Sequence, residues 1–218
     1  MRKVESISQA IRCDDQPISG ATLFHEGRYL TSWVTPDNLD VQSKYSQLTD
    51  SQTLKDKIRA CWKYVSDPNQ IRYRQLVTTK VSVDSRTFVQ KDAWLDPAQV
   101  IQARVGNCFN KSILLASLLR QELPPDKVYV VLGNINDEGH AWVLARLDRD
   151  YIVETTSPHL SKCFIPADSI ELYEPVIFFN DREVRYFPEK KVHEPLGNCF
   201  CIRWLEDYLE KEACEAYI

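Results

Sequence analysis

Three residues of this 218-residue chain have the types and the order that thiol catalysis requires. Cys108 stands at the start of a long apolar segment, His140 follows a polar loop, and Glu154 comes shortly after it. In thiol catalysis an imidazole takes the proton of the thiol, and a carboxylate fixes the tautomer of the imidazole. The sequence therefore predicts three catalytic residues, with Cys108 as the nucleophile, His140 as the general base and Glu154 as the carboxylate that orients His140.

The segment that begins at Cys108 is predicted to be a buried helix. Its apolar residues cover nearly every side of a helix as far as Gln121, and Pro124 and Pro125 then end it. A cysteine in the first turn lies in the positive field of the helix amides, which lowers the pKa of its thiol. Gly106 has no side chain, so it leaves room for a substrate to approach the sulfur along the backbone.

The hairpin after His140 decides which carboxylate can reach the imidazole. Two predicted strands, 141–147 and 151–154, are joined by a short polar turn. Asp148 and Asp150 lie at that turn, roughly 20 Å or more from His140 at about 3.3 Å per residue. Glu154 lies at the end of the returning strand and is therefore the expected partner of His140. The alternative is that Glu154 points to solvent and an amide or a backbone carbonyl orients the ring.

Other helices are expected to surround the Cys108 helix. Apolar residues at helical spacing predict a helix over residues 54–65. Asp96 and Pro97 form a typical helix start, and Gly106 is expected to interrupt the short helix that follows. An amphipathic helix after Ile202 is predicted to bury its apolar stripe against the rest of the chain.

The rest of the chain is predicted to be mainly extended. Residues 1–50 are read as strands and loops, and further strands are expected over 71–83, 128–132, 176–179 and 184–187. This mixture predicts an α+β fold. Without a repeat or a linker, one domain over residues 1–218 is expected, with its core at about 51–160 and additions at both ends.

Three short segments resemble the transglutaminase-like superfamily, whose core is related to papain-like proteases. They are Gly106-Asn107-Cys108, His140-Ala141-Trp142 and Glu154-Thr155-Thr156. In that family a Gly-x-Cys segment opens the central helix, a His-Ala-Trp-type segment starts a strand, and an Asp-Pro-Thr-like segment ends the next strand. The resemblance implies a transglutaminase-like, papain-like core, in which a buried helix carrying the nucleophile packs on an antiparallel β-sheet.

The resemblance extends over about half of the chain, residues 54–158. It implies acyl-enzyme chemistry on the amide bonds of a peptide, a protein or a small amide. Hydrolysis is favoured over transfer to an amine. The first oxyanion donor is expected to be the backbone N–H of Cys108. Other candidates for the oxyanion or substrate site are Trp94, Gly106, Asn107 and Trp142, although Trp94 is equally well explained as a packed aromatic residue.

A catalytically silent transglutaminase-like binding module is the alternative function. Glu154 supports this alternative, because the family usually has aspartate there and no proline follows it. Taken alone, Cys108 would be read as a buried structural thiol and His140 as a hydrogen-bonded interior histidine.

Composition and charge exclude several classes of function. The net charge is −4, from 27 Lys and Arg against 31 Asp and Glu, and no long basic block is present. Nucleic acid is therefore not an expected partner, because phosphate binding needs clustered positive charge. The longest apolar stretch, around residues 113–119, is far shorter than the ~20 residues that span a bilayer, so no membrane partner is expected. The oligomeric state is left open.

The 7 cysteines bear on the compartment and on metal binding. An odd number of cysteines, with no apolar signal segment behind the N-terminus, favours reduced thiols and a cytoplasmic location. Neither a cofactor nor a metal is expected. A structural zinc site is the main chemical alternative, although the Cys-x-Cys spacing of its residues is not that of the usual zinc pair. Its candidate ligands are His193, Cys199, Cys201 and Cys214.

The predicted thiolate gives a first test by chemical labelling. We expect iodoacetamide at neutral pH to alkylate Cys108 faster than the other six cysteines, because only the thiolate is nucleophilic. Peptide mapping by mass spectrometry after short exposures measures the rate at each cysteine. Labelling of Cys108 no faster than the rest would contradict the enzyme hypothesis.

Overall fold

The computed structural model describes residues 24–25, 28–50, 53–74, 80–83, 86–89, 94–136, 138–169 and 172–186. Within these ranges, no helix has both the length and the apolar composition to cross a membrane. The helix predicted after Ile202 and the four candidate zinc ligands, from His193 to Cys214, lie outside the described residues.

The described residues include four α-helices and twelve strands. The helices are α1 (Leu39–Leu48), α2 (Leu54–Ser66), α3 (Pro97–Ala103) and α4 (Cys108–Leu119). The strands are β1 (Phe24–His25), β2 (Arg28–Tyr29), β3 (Arg72–Tyr73), β4 (Lys80–Val83), β5 (Arg86–Val89), β6 (Val105–Gly106), β7 (Val128–Ile135), β8 (Glu138–Arg146), β9 (Asp150–Val153), β10 (Ile165–Pro166), β11 (Tyr173–Phe179) and β12 (Val184–Tyr186). Short 3-10 helices cover Leu30–Trp33, Pro125–Lys127, Leu160–Lys162 and Ala167–Ser169.

The main sheet has six strands in the order β10-β9-β8-β7-β11-β12, and every neighbouring pair is antiparallel. Helix α4 packs against β7 and β8, and α1, α2 and α3 pack around its other sides. All of α4 is buried, as a helix that is apolar on nearly every side must be. The predicted α+β fold, with a buried helix on an antiparallel sheet, is confirmed.

Two of the helices around α4 begin where the sequence supplies a cap. Helix α2 begins after Thr53, whose hydroxyl accepts a hydrogen bond from the backbone N–H of Asp56 at 3.3 Å. Helix α3 begins after Asp96, whose carboxylate accepts a hydrogen bond from the backbone N–H of Gln99 at 3.0 Å. These bonds satisfy donors that the first helical turn leaves without partners. Both predicted helix starts are confirmed.

Helix α1 contradicts the interpretation of residues 1–50 as strands and loops only. The side chain of Asn38 accepts hydrogen bonds from the backbone N–H groups of Asp40 and Val41, which starts the helix. Val41 is the one buried residue of α1. Val41, Tyr45 and Leu48 do recur at helical spacing and pack on the core, but this period covers only 10 residues.

The end of α3 also differs from the prediction, which placed it at Gly106. The helix ends at Ala103, because Arg104 adopts the left-handed conformation with φ of 54°. The guanidinium of Arg104 donates hydrogen bonds to the backbone carbonyls of Asn69 at 2.6 Å and Gln70 at 3.0 Å. These bonds hold a conformation that non-glycine residues rarely adopt. Gly106 instead lies in β6, which pairs with β3.

A second apolar cluster covers the sheet face opposite α4, since side chains alternate between the two faces of a strand. Its buried members are Tyr129, Val131, Trp142, Leu144, Ile152, Ile165, Ala167, Tyr173 and Phe178. Gly133 makes room for this cluster on β7. A Cβ atom on Gly133 would lie 2.1 Å from the carbonyl oxygen of Glu174 and 2.7 Å from the Trp142 ring. The missing side chain therefore lets Trp142 lie close to β7 and β11.

Replacement of Gly133 tests this close approach. We expect Gly133→Ala to lower the free energy of unfolding by about 1–3 kcal/mol or more, because a backbone carbonyl of the neighbouring strand cannot move aside easily. Urea unfolding followed by circular dichroism measures the loss.

Gly106→Ala is the comparison variant. The nearest atom to its added Cβ is the side-chain Cβ of Asn110 at 2.9 Å, and no other atom lies closer than 3.7 Å. We therefore expect a smaller loss than for Gly133→Ala. Equal stability of Gly133→Ala and the wild type would contradict the account of Trp142 packing.

Candidate active site

The start of α4 is fixed by a reciprocal pair of hydrogen bonds. The side-chain oxygen of Asn107 accepts a hydrogen bond from the backbone N–H of Asn110 at 3.0 Å. The side-chain oxygen of Asn110 in turn accepts one from the backbone N–H of Asn107 at 3.2 Å. The amide nitrogen of Asn110 also donates to the carbonyl of Leu95 at 3.2 Å. Together these bonds fix Cys108 as the first residue of α4, where it is 3% exposed.

The sheet brings His140 to the same place. His140 lies near the start of β8, opposite Gly133 of β7, and the imidazole forms a side-chain hydrogen bond with Cys108. The imidazole also contacts Glu154, whose Oε2 lies 2.9 Å from Nε2 of His140. Because Nε2 faces the carboxylate, Nδ1 is the ring nitrogen left for the thiol. The structure thus brings all three predicted catalytic residues together.

Glu154 is held by both its side chain and its backbone. Its Oε1 accepts hydrogen bonds from the backbone N–H of Thr156 at 2.8 Å and from the Thr156 hydroxyl at 2.7 Å. Its Oε2 accepts one from the hydroxyl of Tyr173 at 3.1 Å. Its backbone carbonyl accepts one from the indole N–H of Trp62 at 2.7 Å, and its backbone N–H donates to the carbonyl of Lys162 at 2.9 Å.

Burial and these contacts set the charges of the pair. Burial lowers the pKa of His140, but hydrogen bonds to Cys108 and Glu154 and their negative charges outweigh it and raise the pKa to about 10. Burial would raise the pKa of Glu154, but His140 and the Thr156 hydrogen bonds outweigh it and lower the pKa. At neutral pH the pair is therefore an imidazolium beside a carboxylate.

These shifts also determine how the pair affects stability. Because the pKa of folded His140 is raised above its ordinary 6.5, the pair stabilises the fold below that pH and loses this effect as the pH rises through about 10. The lowered pKa of Glu154 acts at the acid side, where stability falls as the carboxylate becomes protonated.

The two aspartates of the β8–β9 turn have other partners. Asp148 lies 3.3 Å from the ammonium of Lys55, and Asp150 lies 3.6 Å from the guanidinium of Arg146. Neither has a hydrogen bond to His140 among the described contacts, in line with their position at the far end of β8.

The aromatic candidates have different surroundings. The ring of Trp142 is stacked near that of His140, with centroids 6.3 Å apart, and meets Tyr173 edge-on at 5.1 Å. The ring of Trp94 is stacked on Phe109, with centroids 3.5 Å apart, and meets Trp33 edge-on. The stacking fits the interpretation of Trp94 as a packed aromatic residue, and its role as an oxyanion donor stays a prediction.

Two polar residues of the site were not predicted from the sequence. Thr156 belongs to the segment Glu154-Thr155-Thr156, but no role was predicted for it. Its position two residues after Glu154 was the signal that could have indicated one. Tyr173 lies on β11, which pairs with β7 and not with the hairpin that carries His140 and Glu154. Nothing in the local sequence around Tyr173 indicates this contact.

The two other cysteines of the described residues are not activated as nucleophiles. Burial raises the pKa of the Cys61 and Cys163 thiols to about 12, which makes both poor nucleophiles.

The site also has a buried lysine beside it and no metal ligands of the usual kind grouped among the described residues. Lys111, one turn after Cys108, is buried, and burial lowers the pKa of its ammonium to about 8 despite the nearby charges of Asp67 and Glu154. Within the described residues, no group of three or more His, Cys, Asp and Glu side chains could hold a metal ion.

A central helix that begins at a cysteine, packed on an antiparallel sheet that carries a histidine, is the arrangement that the sequence resemblance implied. Comparison with solved structures shows a similar fold. The structure of EGTA-treated LapG from Legionella pneumophila aligns with a TM-score of 0.50 and 14% sequence identity, covering 83% of this chain and 94% of that one. LapG is a transglutaminase-like cysteine protease. The likeness is one of fold, and it gives this chain a transglutaminase-like fold.

Two further LapG structures from Legionella pneumophila align at 14% identity. One covers 74% of this chain and 87% of its own length with a TM-score of 0.49. The calcium-bound structure covers 77% of this chain and 96% of its own length with a TM-score of 0.44. No family model matches the sequence, and no curated protein matches it either.

The ion pair can be tested through the titration of His140. We expect Glu154→Gln to lower the pKa of His140 by about 1–2 units, because the neutral amide no longer stabilises the imidazolium. NMR titration of the ring protons measures this pKa, and the chain has only 4 histidines to assign.

Glu183→Gln is the matched control. The Glu183 carboxylate accepts a hydrogen bond from the hydroxyl of Tyr129 at 2.6 Å and has no contact with His140 among the described contacts. It makes the same change of charge, in the turn that joins β11 to β12. If Glu154→Gln shifts the pKa of His140 no more than this control does, the carboxylate does not set the charge of the imidazole.

Proposed function

We propose that this protein is a cysteine-dependent hydrolase of amide bonds that works through an acyl-enzyme. The observation that carries the proposal is the buried series of contacts from Cys108 to His140 to Glu154, with Cys108 at the start of a buried helix. A thiol, an imidazole and a carboxylate in this order have the roles of nucleophile, base and orienting group. The transglutaminase-like fold supports the same conclusion.

In the first step, the Cys108 thiolate attacks the carbonyl carbon of the amide. The thiol proton is already on His140, since the raised pKa of the imidazole favours the imidazolium. The C–N bond then breaks, the amine leaves with a proton from His140, and a thioester remains on Cys108. Glu154 keeps the ring oriented for both transfers.

In the second step, a water molecule attacks the thioester. Neutral His140 takes a proton from the water, the C–S bond breaks, and the acid leaves while the thiolate and the imidazolium re-form. An amine in place of water would give transfer instead of hydrolysis. We favour hydrolysis for this chain, with a peptide, a protein or a small amide as substrate.

Two donors are proposed for the oxyanion that forms in each step. The first is the backbone N–H of Cys108, at the N-terminus of α4, where the amide groups point out of the helix. The second is the side-chain amide of Asn107. Its oxygen is committed to the cap of α4, while its Nδ2 is buried and has no hydrogen-bond partner within the described part of the chain. A buried donor without a partner is destabilising unless a ligand uses it.

The hydrolase proposal is tested with a library of peptides and small amides. Wild-type protein and Cys108→Ala are incubated with the library, and mass spectrometry follows both the products and any acyl adduct on the protein. We expect product and a thioester adduct with the wild type and neither with Cys108→Ala. Cys61→Ala, which removes a buried thiol elsewhere, should remain active.

Two other outcomes would change the proposal. Incorporation of an added amine into the product would assign the chain to the acyltransferases. Identical product profiles for the wild type and Cys108→Ala, with no adduct on either, would favour the catalytically silent binding module.

Asn107→Asp separates the cap from the oxyanion donor. Aspartate keeps the oxygen that caps α4, so the fold should remain stable. It removes the N–H donor and adds a negative charge beside the oxyanion, so kcat/KM should fall by about 10²–10³-fold. Steady-state kinetics and thermal unfolding measure the two effects. Unchanged kinetics in a stable variant would remove Asn107 from the site.

A further inference from the structure

The carboxylate of Glu154 has one anchor on each oxygen, and neither anchor belongs to the predicted catalytic residues. Thr156 donates two hydrogen bonds to Oε1, from its backbone N–H at 2.8 Å and its hydroxyl at 2.7 Å. Tyr173 donates to Oε2 at 3.1 Å, the same oxygen that faces Nε2 of His140 at 2.9 Å. The plane of the carboxylate is thereby fixed from both ends.

We propose that Tyr173 and Thr156 are positioning residues, which fix the ionised carboxylate of Glu154 against His140. The proposal rests on the proposed function, because it concerns the residues that hold Glu154, the last of the three proposed catalytic residues. Neither Tyr173 nor Thr156 is itself a catalytic group, since both act only through Glu154.

The length of the Glu154 side chain explains why hydrogen bonds on both oxygens matter. A glutamate has one more rotatable bond than an aspartate, so more conformations compete with the one that contacts His140. A hydrogen bond to a charged group contributes more than one between neutral groups. Donors on both oxygens select the productive orientation and stabilise the charged form of the carboxylate.

Tyr173 is itself held in place. It is 8% exposed, and the edge-on contact with Trp142 at 5.1 Å packs its ring beside the site. The hydroxyl does not ionise in the working range, because burial and the charge of Glu154 raise the pKa of Tyr173. It therefore acts as a permanent donor to Oε2.

Several titratable groups interact with the Glu154 carboxylate, so their protonation depends on its charge. They are His140 of β8, Lys111 of α4, Tyr173 of β11 and, through His140, Cys108. Loss of a donor to the ionised form raises the pKa of a carboxylate. Loss of an anchor should therefore move protonation of Glu154, and with it the loss of the Cys108 thiolate, to higher pH.

The test is the pH dependence of Cys108 alkylation by iodoacetamide, which needs no substrate. In Tyr173→Phe the ring and its packing remain, and only the hydroxyl donor is lost. We expect the midpoint of the low-pH limb of the alkylation profile to rise by about one pH unit, since such a shift corresponds to the loss of one hydrogen bond to a charged group. Thr156→Val, which keeps the backbone N–H, should shift the midpoint in the same direction.

Tyr129→Phe is the matched control. Tyr129 lies on β7 of the same sheet, and its hydroxyl donates to Oε1 of Glu183 at 2.6 Å, so the control also removes one tyrosine–glutamate hydrogen bond. We expect a loss of stability without a shift of the midpoint. If Tyr173→Phe and Thr156→Val leave the midpoint where Tyr129→Phe leaves it, the proposal is overturned. If Tyr173→Phe does not fold, Thr156→Val alone decides in the same way.

The result is separable from that of the amide library. A shifted midpoint without any amide hydrolysis would support the anchors and leave the hydrolase proposal refuted. Amide hydrolysis by the wild type with an unshifted midpoint in both variants would refute the anchors alone.

Discussion

The arrangement of the site depends on the burial of one carboxylate, that of Glu154. An ionised carboxylate that leaves water without partners is destabilised by several kcal/mol. At 4% exposure Glu154 has to obtain those partners from the protein, and it does so through His140, Thr156 and Tyr173. The charge that results raises the pKa of His140, and the imidazolium in turn favours a thiolate at Cys108. Each charge in this series is stable only because of the next.

Meeting this requirement involves elements that are far apart in the chain. Helix α2 contributes Trp62, which holds the backbone of Glu154, and β11 contributes Tyr173 from beyond β7. Gly133 lets β11 and the ring of Trp142 come close enough to do so. The capping pair at Asn107 sets where α4 begins and therefore where the thiol lies. The same contacts therefore determine both the packing of the core and the geometry of the site.

Much of the fold could be predicted because the signals were local. The apolar surface of α4, the apolar spacing of α2, the cap of α3 and the hairpin between β8 and β9 each lie within a short stretch of sequence. Helix α1 was missed because its helical period of Val41, Tyr45 and Leu48 covers only 10 residues. The end of α3 was misplaced because Arg104 takes the left-handed conformation in place of a glycine. The contact of Tyr173 with Glu154 could not be predicted, since it depends on the pairing of β11 with β7 across the sheet.

Glutamate in place of the family's usual aspartate was read from the sequence as support for a catalytically silent module. The structure offers a different physical account of the same residue. The longer side chain spans the distance from the end of β9 to His140, and its added rotational freedom is offset by a donor on each oxygen. A substitution that weakens a site in isolation is compatible with function when neighbouring residues supply what it lacks. The identity of the third residue is therefore less informative than the set of donors around its carboxylate.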